Sequence, residues 1–125
     1  MKMTTLVLII TAVLTALIGG LFYAYSCSVV LGLGKLSDTE YLKAMQNINR
    51  EILNPVFFMS FMGTVIFLPV ATFLLRGQQT VFIFLLLATL AYLIGVFGVT
   101  VAGNVPMNDT LDKFDIFGST AEAIR

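Results

Sequence analysis

The sequence has no histidine, no tryptophan and a single cysteine, and only 11% of its residues are charged. Without histidine there is no histidine-ligated haem, zinc or non-haem iron site and no Ser-His-Asp arrangement. One cysteine makes neither an internal disulfide nor a thiolate cluster, so Cys27 reads as a packing residue near a helix end. Met45, Met59 and Met62 stand among apolar neighbours and read as gap fillers, not as copper ligands. There is no phosphate loop and no dinucleotide fingerprint. No metal and no cofactor is expected. Seven basic residues balance seven acidic ones with no basic cluster, which speaks against nucleic acid as a partner.

What is abundant is apolar side chain, at 58% of the residues. Charges are absent from the 32 residues between Lys2 and Lys35, the 24 between Glu51 and Arg76 and the 32 between Arg76 and Asp109. A helix crosses the hydrocarbon with about 20 apolar residues, so each gap holds one span, at about 4–31, 55–75 and 81–102. The fold class expected is an all-α membrane protein: one small transmembrane helical domain over residues 1–125, multi-pass, in the cell membrane, with the lipid bilayer as its surroundings. A cleaved signal peptide ending near AYSC, Ala24 to Cys27, competes for the first run. That run is longer than a signal core of roughly 7–15 residues, and Tyr25 stands where a small residue is wanted. Five basic residues on the face after the first span, against two opposite, tilt that face toward the cytoplasm.

Ala12, Ala16, Gly20, Ala24 and Ser28 recur every four residues and make a stripe where another helix can approach closely. The stripe fits a neighbour in the same chain, a second copy or a partner subunit. Asn54 reads as an N-cap and Pro55 as a first-turn proline, while Pro69 is expected to bend the second span, with Thr64, Thr72 or a neighbouring helix meeting the freed carbonyl.

Between the first two spans, Ser37-x-x-Glu40 reads as a capping box opening an amphipathic interfacial helix over about 37–53. At about 100° per residue, Tyr41, Leu42, Met45, Ile48, Ile52 and Leu53 share one arc, opposite Glu40, Lys43, Asn47 and Glu51. Asn49 falls inside the apolar arc, with Gln46 and Arg50 at its edge. A buried amide without partners costs roughly 1–3 kcal/mol. A second polar segment, at 103–125, carries Asn104, Asn108 and Asp109 around Pro106. Three crossings put both segments on one face, where Gln46, Asn49, Arg50, Asn104, Asn108 and Asp109 can surround a polar group of a lipophilic ligand. The alternative is that these amides only hold the fold, in a non-catalytic membrane subunit or a structural or ligand-binding protein.

The stretches FYAYSCSVVLGL (Phe22 to Leu33), AMQNINREILNPVFFMSFMGT (Ala44 to Thr64) and NVPMNDTLD (Asn104 to Asp112) resemble the anthrone oxygenase-like family of small integral membrane proteins. In that family an AMQ-x-IN…NP-x-F segment follows the first span and an N-x-P-x-N segment the third. The resemblance points to Gln46, Asn49, Arg50, Asn54, Pro55, Asn104, Pro106 and Asn108. It implies a four-helix bundle whose last span is lacking here, and cofactor-independent oxidation of a lipophilic aromatic. Arg50, with Asn49 and Asn108, would hold the oxyanion and Asp109 would act as base. Gln46 and Asn104 would bind, and Asn54, Pro55 and Pro106 would be structural.

Overall fold

A computed structural model describes residues 2–116 and 118 of the chain. The described residues are helical apart from short connections. They form α1 (Met3–Leu33), α2 (Asp38–Glu51), α3 (Pro55–Leu74) and α4 (Gln79–Asp112). Helices α1, α3 and α4 are long and apolar enough to cross a membrane, and the protein is a multi-pass membrane protein built on them. The polar segment expected at 103–125 is described only in part, because residues 117 and 119–125 lie outside the described ones.

The charge gaps locate these helices because only backbone bonded within its own segment is stable in hydrocarbon. Two of them match their expected spans within two residues at each end. The third does not stop at Ala102. It continues to Asp112, so Asn104, Pro106 and Asn108 lie on a helix and not in an irregular segment. The tract before Pro106 is wound in wider π-helical turns, over Ala91–Gly98 and Thr100–Asn104. There the amide of Val105 bonds the carbonyl of Thr100, five residues back. In that register the proline ring, which in a regular helix clashes with the carbonyl four residues back, is tolerated. A Cβ on Gly98 would stand 3.2 Å from the carbonyl oxygen of Leu93, so this glycine lets the wide turn close.

Helix α3 packs against both α1 and α4. Its start is fixed by Asn54, whose side chain accepts from the amide of Phe57 at 3.0 Å, with Pro55 as the first helical residue. Ile18 of α1, Phe61 and Leu68 of α3 and Tyr92 of α4 form the buried core. Gly63 makes the α1–α3 approach possible: a Cβ there would come within 2.8 Å of a Leu14 methyl carbon. Thr11 of α1 donates to the carbonyls of Val7 and Phe67, at 2.7 and 3.2 Å. A hydroxyl from a neighbouring helix thus serves α3 two residues ahead of Pro69. Between α3 and α4, the Thr72 and Thr89 hydroxyls stand 2.9 Å apart. Thr72 gives its proton to the carbonyl of Leu68, so Thr89 is the donor in the pair. Tyr92 donates to the carbonyl of Phe61 at 3.0 Å.

The stripe of Ala12, Ala16, Gly20, Ala24 and Ser28 is exposed on α1, turned away from the buried Thr11 and Ile18. Helix α2 opens with the expected capping box. Ser37 donates to a Glu40 carboxylate oxygen from its hydroxyl at 2.6 Å and from its amide at 3.1 Å, which holds the exposed Glu40 below the usual carboxylate range. Glu40, Lys43, Asn47 and Glu51 are exposed, and Tyr41, Leu42, Met45 and Ile48 half-buried, as patterning predicts. Leu53, expected on the apolar arc, is exposed because it follows the end of α2.

Candidate functional site

The end of α1, the whole of α2, the start of α3 and the end of α4 meet at one mouth of the bundle. Tyr25 of α1 reaches α2 by donating to the thioether sulfur of Met45 at 3.1 Å. One residue on, Gln46 spans the gap to α4. Its Nε2 donates to the carbonyls of Leu111 and Phe114, at 2.8 and 3.0 Å. Main-chain carbonyls in the last turn of a helix have no intrahelical donor, so Gln46 caps α4 from a different helix. Arg50, one turn further along α2, pairs through Nε with Asp112 at 2.5 Å.

These ties frame an open cleft of about 340 Å³ lined by Lys43, Gln46, Asn47 and Arg50 from α2 and by Asp112, Phe114, Asp115 and Ile116 from the end of α4. Towards the bundle interior, Phe57 stacks on Phe61 with ring centroids 5.2 Å apart, and Phe61 also meets Phe97 at 5.8 Å and Tyr92 at 6.2 Å. The two polar segments therefore meet, but through other pairs than the pattern suggested. Asn49 makes no hydrogen bond to Asn104 or Asn108. Its Nδ2 is buried and has no hydrogen-bond partner among the described residues. The reason is the extra length of α4. Because the helix carries through Asn108, its end at Leu111 to Phe114, not the Asn104–Asn108 stretch, meets α2.

The other expected site residues fall as follows. Asn104 is exposed and Asn108 half-buried. Asp109 pairs with Lys113, four residues on, at 2.7 Å and is not among the residues lining the cleft. Pro106 sits at the start of the α-helical end of α4. Asp112, Phe114 and Asp115, which line the cleft, were missed by the sequence reading. The signal for them was the three-residue spacing of Asp109, Asp112 and Asp115, an acidic row that can answer Lys43 and Arg50 on α2. The described residues contain no group of three or more metal-ligating side chains.

A bundle of membrane-spanning helices with an amphipathic helix laid across one mouth, and a cleft there lined by amides and charged side chains, defines an integral membrane protein with its polar chemistry at the membrane face. A family model described as anthrone oxygenase matches residues 55–124. That is more than half of the chain, and the chain belongs to this family. The match includes Pro55, Asn104, Pro106, Asn108, Asp109, Asp112 and Asp115, whereas Gln46, Asn49, Arg50 and Asn54 precede it. No curated protein and no solved structure gives a match.

Proposed function

We propose that the protein, in the cell membrane, binds a lipophilic aromatic molecule at this mouth and oxidises it with molecular oxygen without a bound cofactor. The observation that carries the reading is the orphaned Nδ2 of Asn49. A buried donor without an acceptor is costly, and a ligand oxygen supplies what it lacks. Asn49 does not itself line the open cleft, but Arg50, next to it in the chain, does. Arg50 uses only Nε toward Asp112 among the described residues, leaving donors of its planar head for an oxygen. Phe114 in the cleft wall offers a ring.

In the reaction that the family name suggests, an anthrone and one dioxygen give an anthraquinone and one water. The ring methylene loses a proton and the negative charge rests on the ketone oxygen as an enolate; the carbanion carbon then gives its electron pair to dioxygen and bonds to it, and the protonated hydroperoxide loses its remaining C–H proton as the O–O bond breaks, which leaves the new carbonyl and one water. Arg50 and Asn49 are the donors we assign to that oxyanion, and Gln46, which lines the cleft, binds the rest of the ligand; Asn104 and Asn108, off the cleft wall, have no part in this assignment. We give the proton to Asp112 or Asp115, which line the cleft, in preference to Asp109, which does not. The test is anthrone oxidation by the full chain in lipid nanodiscs, followed as quinone absorbance and oxygen uptake. The expected rate exceeds that of empty discs and falls at least tenfold in Arg50→Met, about the loss of one charged hydrogen bond. A rate equal to that of empty discs would refute oxidation. The second reading, a non-catalytic subunit, is favoured by one observation, the exposed small-residue stripe of α1; co-purification of a stoichiometric partner chain would support it.

A further inference from the structure

The carboxamide of Gln46 is fixed in one orientation. Both of its N–H protons go to carbonyls at the end of α4, those of Leu111 and Phe114. Turning the amide over would set its oxygen against two other oxygens, so the flip that is ordinarily open to a glutamine is closed here. Oε1 is left with no donor among the described residues, yet it is not sealed from its surroundings, since it is not among the buried side-chain atoms without a partner there, of which Nδ2 of Asn49 is the one found. Gln46 also lines the cleft and is itself half-buried.

The cleft therefore holds an acceptor that cannot become a donor. The other side-chain acceptors along its wall, on Asn47, Asp112 and Asp115, belong to exposed residues. Asp112 is engaged by Arg50, and the side chains of that pair are 45% and 57% exposed. Water competes for them and blunts any discrimination they make. A fixed, half-buried amide oxygen discriminates more, because a ligand that covers it without offering a proton leaves it unpaired.

We propose that Gln46 Oε1 is a specificity-determining acceptor that selects ligands carrying a hydroxyl or N–H donor on the aromatic ring. The proposal rests on the binding reading above and adds the class of substituent. It also gives α4 a part in recognition, since the helix end holds the acceptor in place through Nε2.

The test uses 1-naphthol and 1-methoxynaphthalene, which keep the same ring and oxygen but differ in the donor proton. Each is equilibrated with the full chain in nanodiscs and corrected with empty discs. The expected result is that 1-naphthol binds about tenfold tighter, the worth of one hydrogen bond to a half-buried acceptor. Gln46→Lys keeps a donor for the two carbonyls but has no acceptor. In that variant the preference should fall to near one while 1-methoxynaphthalene binds as before. Equal affinities in the unaltered protein overturn the acceptor role and leave ligand binding standing. So does a preference that survives in folded Gln46→Lys. Binding of neither probe overturns both readings. Should Gln46→Lys fail to fold, the probe pair on the unaltered protein still decides.

Discussion

Replacing Asn49 by leucine should stabilise the ligand-free protein. Leucine keeps the forked shape of the asparagine side chain and leaves no void, although its methyls are bulkier than the amide and offset part of the gain. What it removes is a buried N–H that has no acceptor. An unsatisfied donor costs roughly 1–3 kcal/mol. Part of that returns when the group goes, so the expected gain is about 1–2 kcal/mol. At roughly 4 °C per kcal/mol for a domain of this size, the unfolding midpoint in detergent should rise by about 4–8 °C. Asn47→Leu, at an exposed position on the opposite face of α2, should change it little. A cycle of Asn49→Leu with Asn108→Ala should be additive within about 0.5 kcal/mol, because the two amides share no bond. The same substitution should abolish anthrone turnover, the exchange of stability for activity expected where a strained polar group serves a ligand. A loss of 1 kcal/mol or more in Asn49→Leu, or coupling to Asn108 above 0.5 kcal/mol, would mean that the amide already has a partner and that the ligand argument fails.

Gly63→Val puts branched carbon where a Cβ alone would come within 2.8 Å of Leu14. It should cost about 1–3 kcal/mol by overpacking, with Gly63→Ala milder because the end of the Leu14 side chain can turn aside; thermal unfolding in detergent reads both. Acidification gives a further prediction. The Glu40 carboxylate lies below its ordinary range through its bonds to Ser37, so its support of α2 is complete above the unfolded-state pKa, near 4.3, and is lost as pH falls through the lower folded-state value. Helicity of α2, followed by amide exchange between pH 5 and 3, should fall in that window, and Glu40→Gln should remove the dependence.

The spans could be read directly because hydrocarbon tolerates no unpaired backbone and few charges, so the gaps between Lys2, Lys35, Glu51, Arg76 and Asp109 mark them. The caps at Ser37 and Asn54 were legible for a similar reason: they depend on residues within one turn. The end of α4 was not. Asn104, Pro106 and Asn108 are turn residues by local preference, and the π-helical tract that absorbs the proline has no pattern of its own in the sequence. The partner of Arg50 depends on how far α4 extends and how it is rotated against α2. Asp112 and Asp109 are equally plausible on paper, and the extra helical turns decide for Asp112. Gln46 was singled out as a polar residue at the edge of the apolar arc, but its capping of a helix 65 residues away is a tertiary fact.

The hydroxyls of the interior also say how the helices come together. Ser60, Thr64 and Thr72 each donate to a carbonyl four residues back in α3, and Thr15 does the same in α1. These two spans can enter the bilayer with those polar groups already satisfied. Helix α4 arrives differently, since the hydroxyls of Thr89 and Tyr92 find their partners on α3. Its docking is therefore rewarded by hydrogen bonds at two levels of the membrane, where such bonds contribute on average about 0.6 kcal/mol each. The contact of α1 with α3 combines the close approach at Gly63, the packing of Ile18 and one hydrogen bond, from Thr11 to the carbonyl of Phe67. Insertion and assembly are then separable events, and a lesion at Thr89 or Tyr92 would weaken the docking of α4 on α3 while leaving the insertion of all three helices untouched.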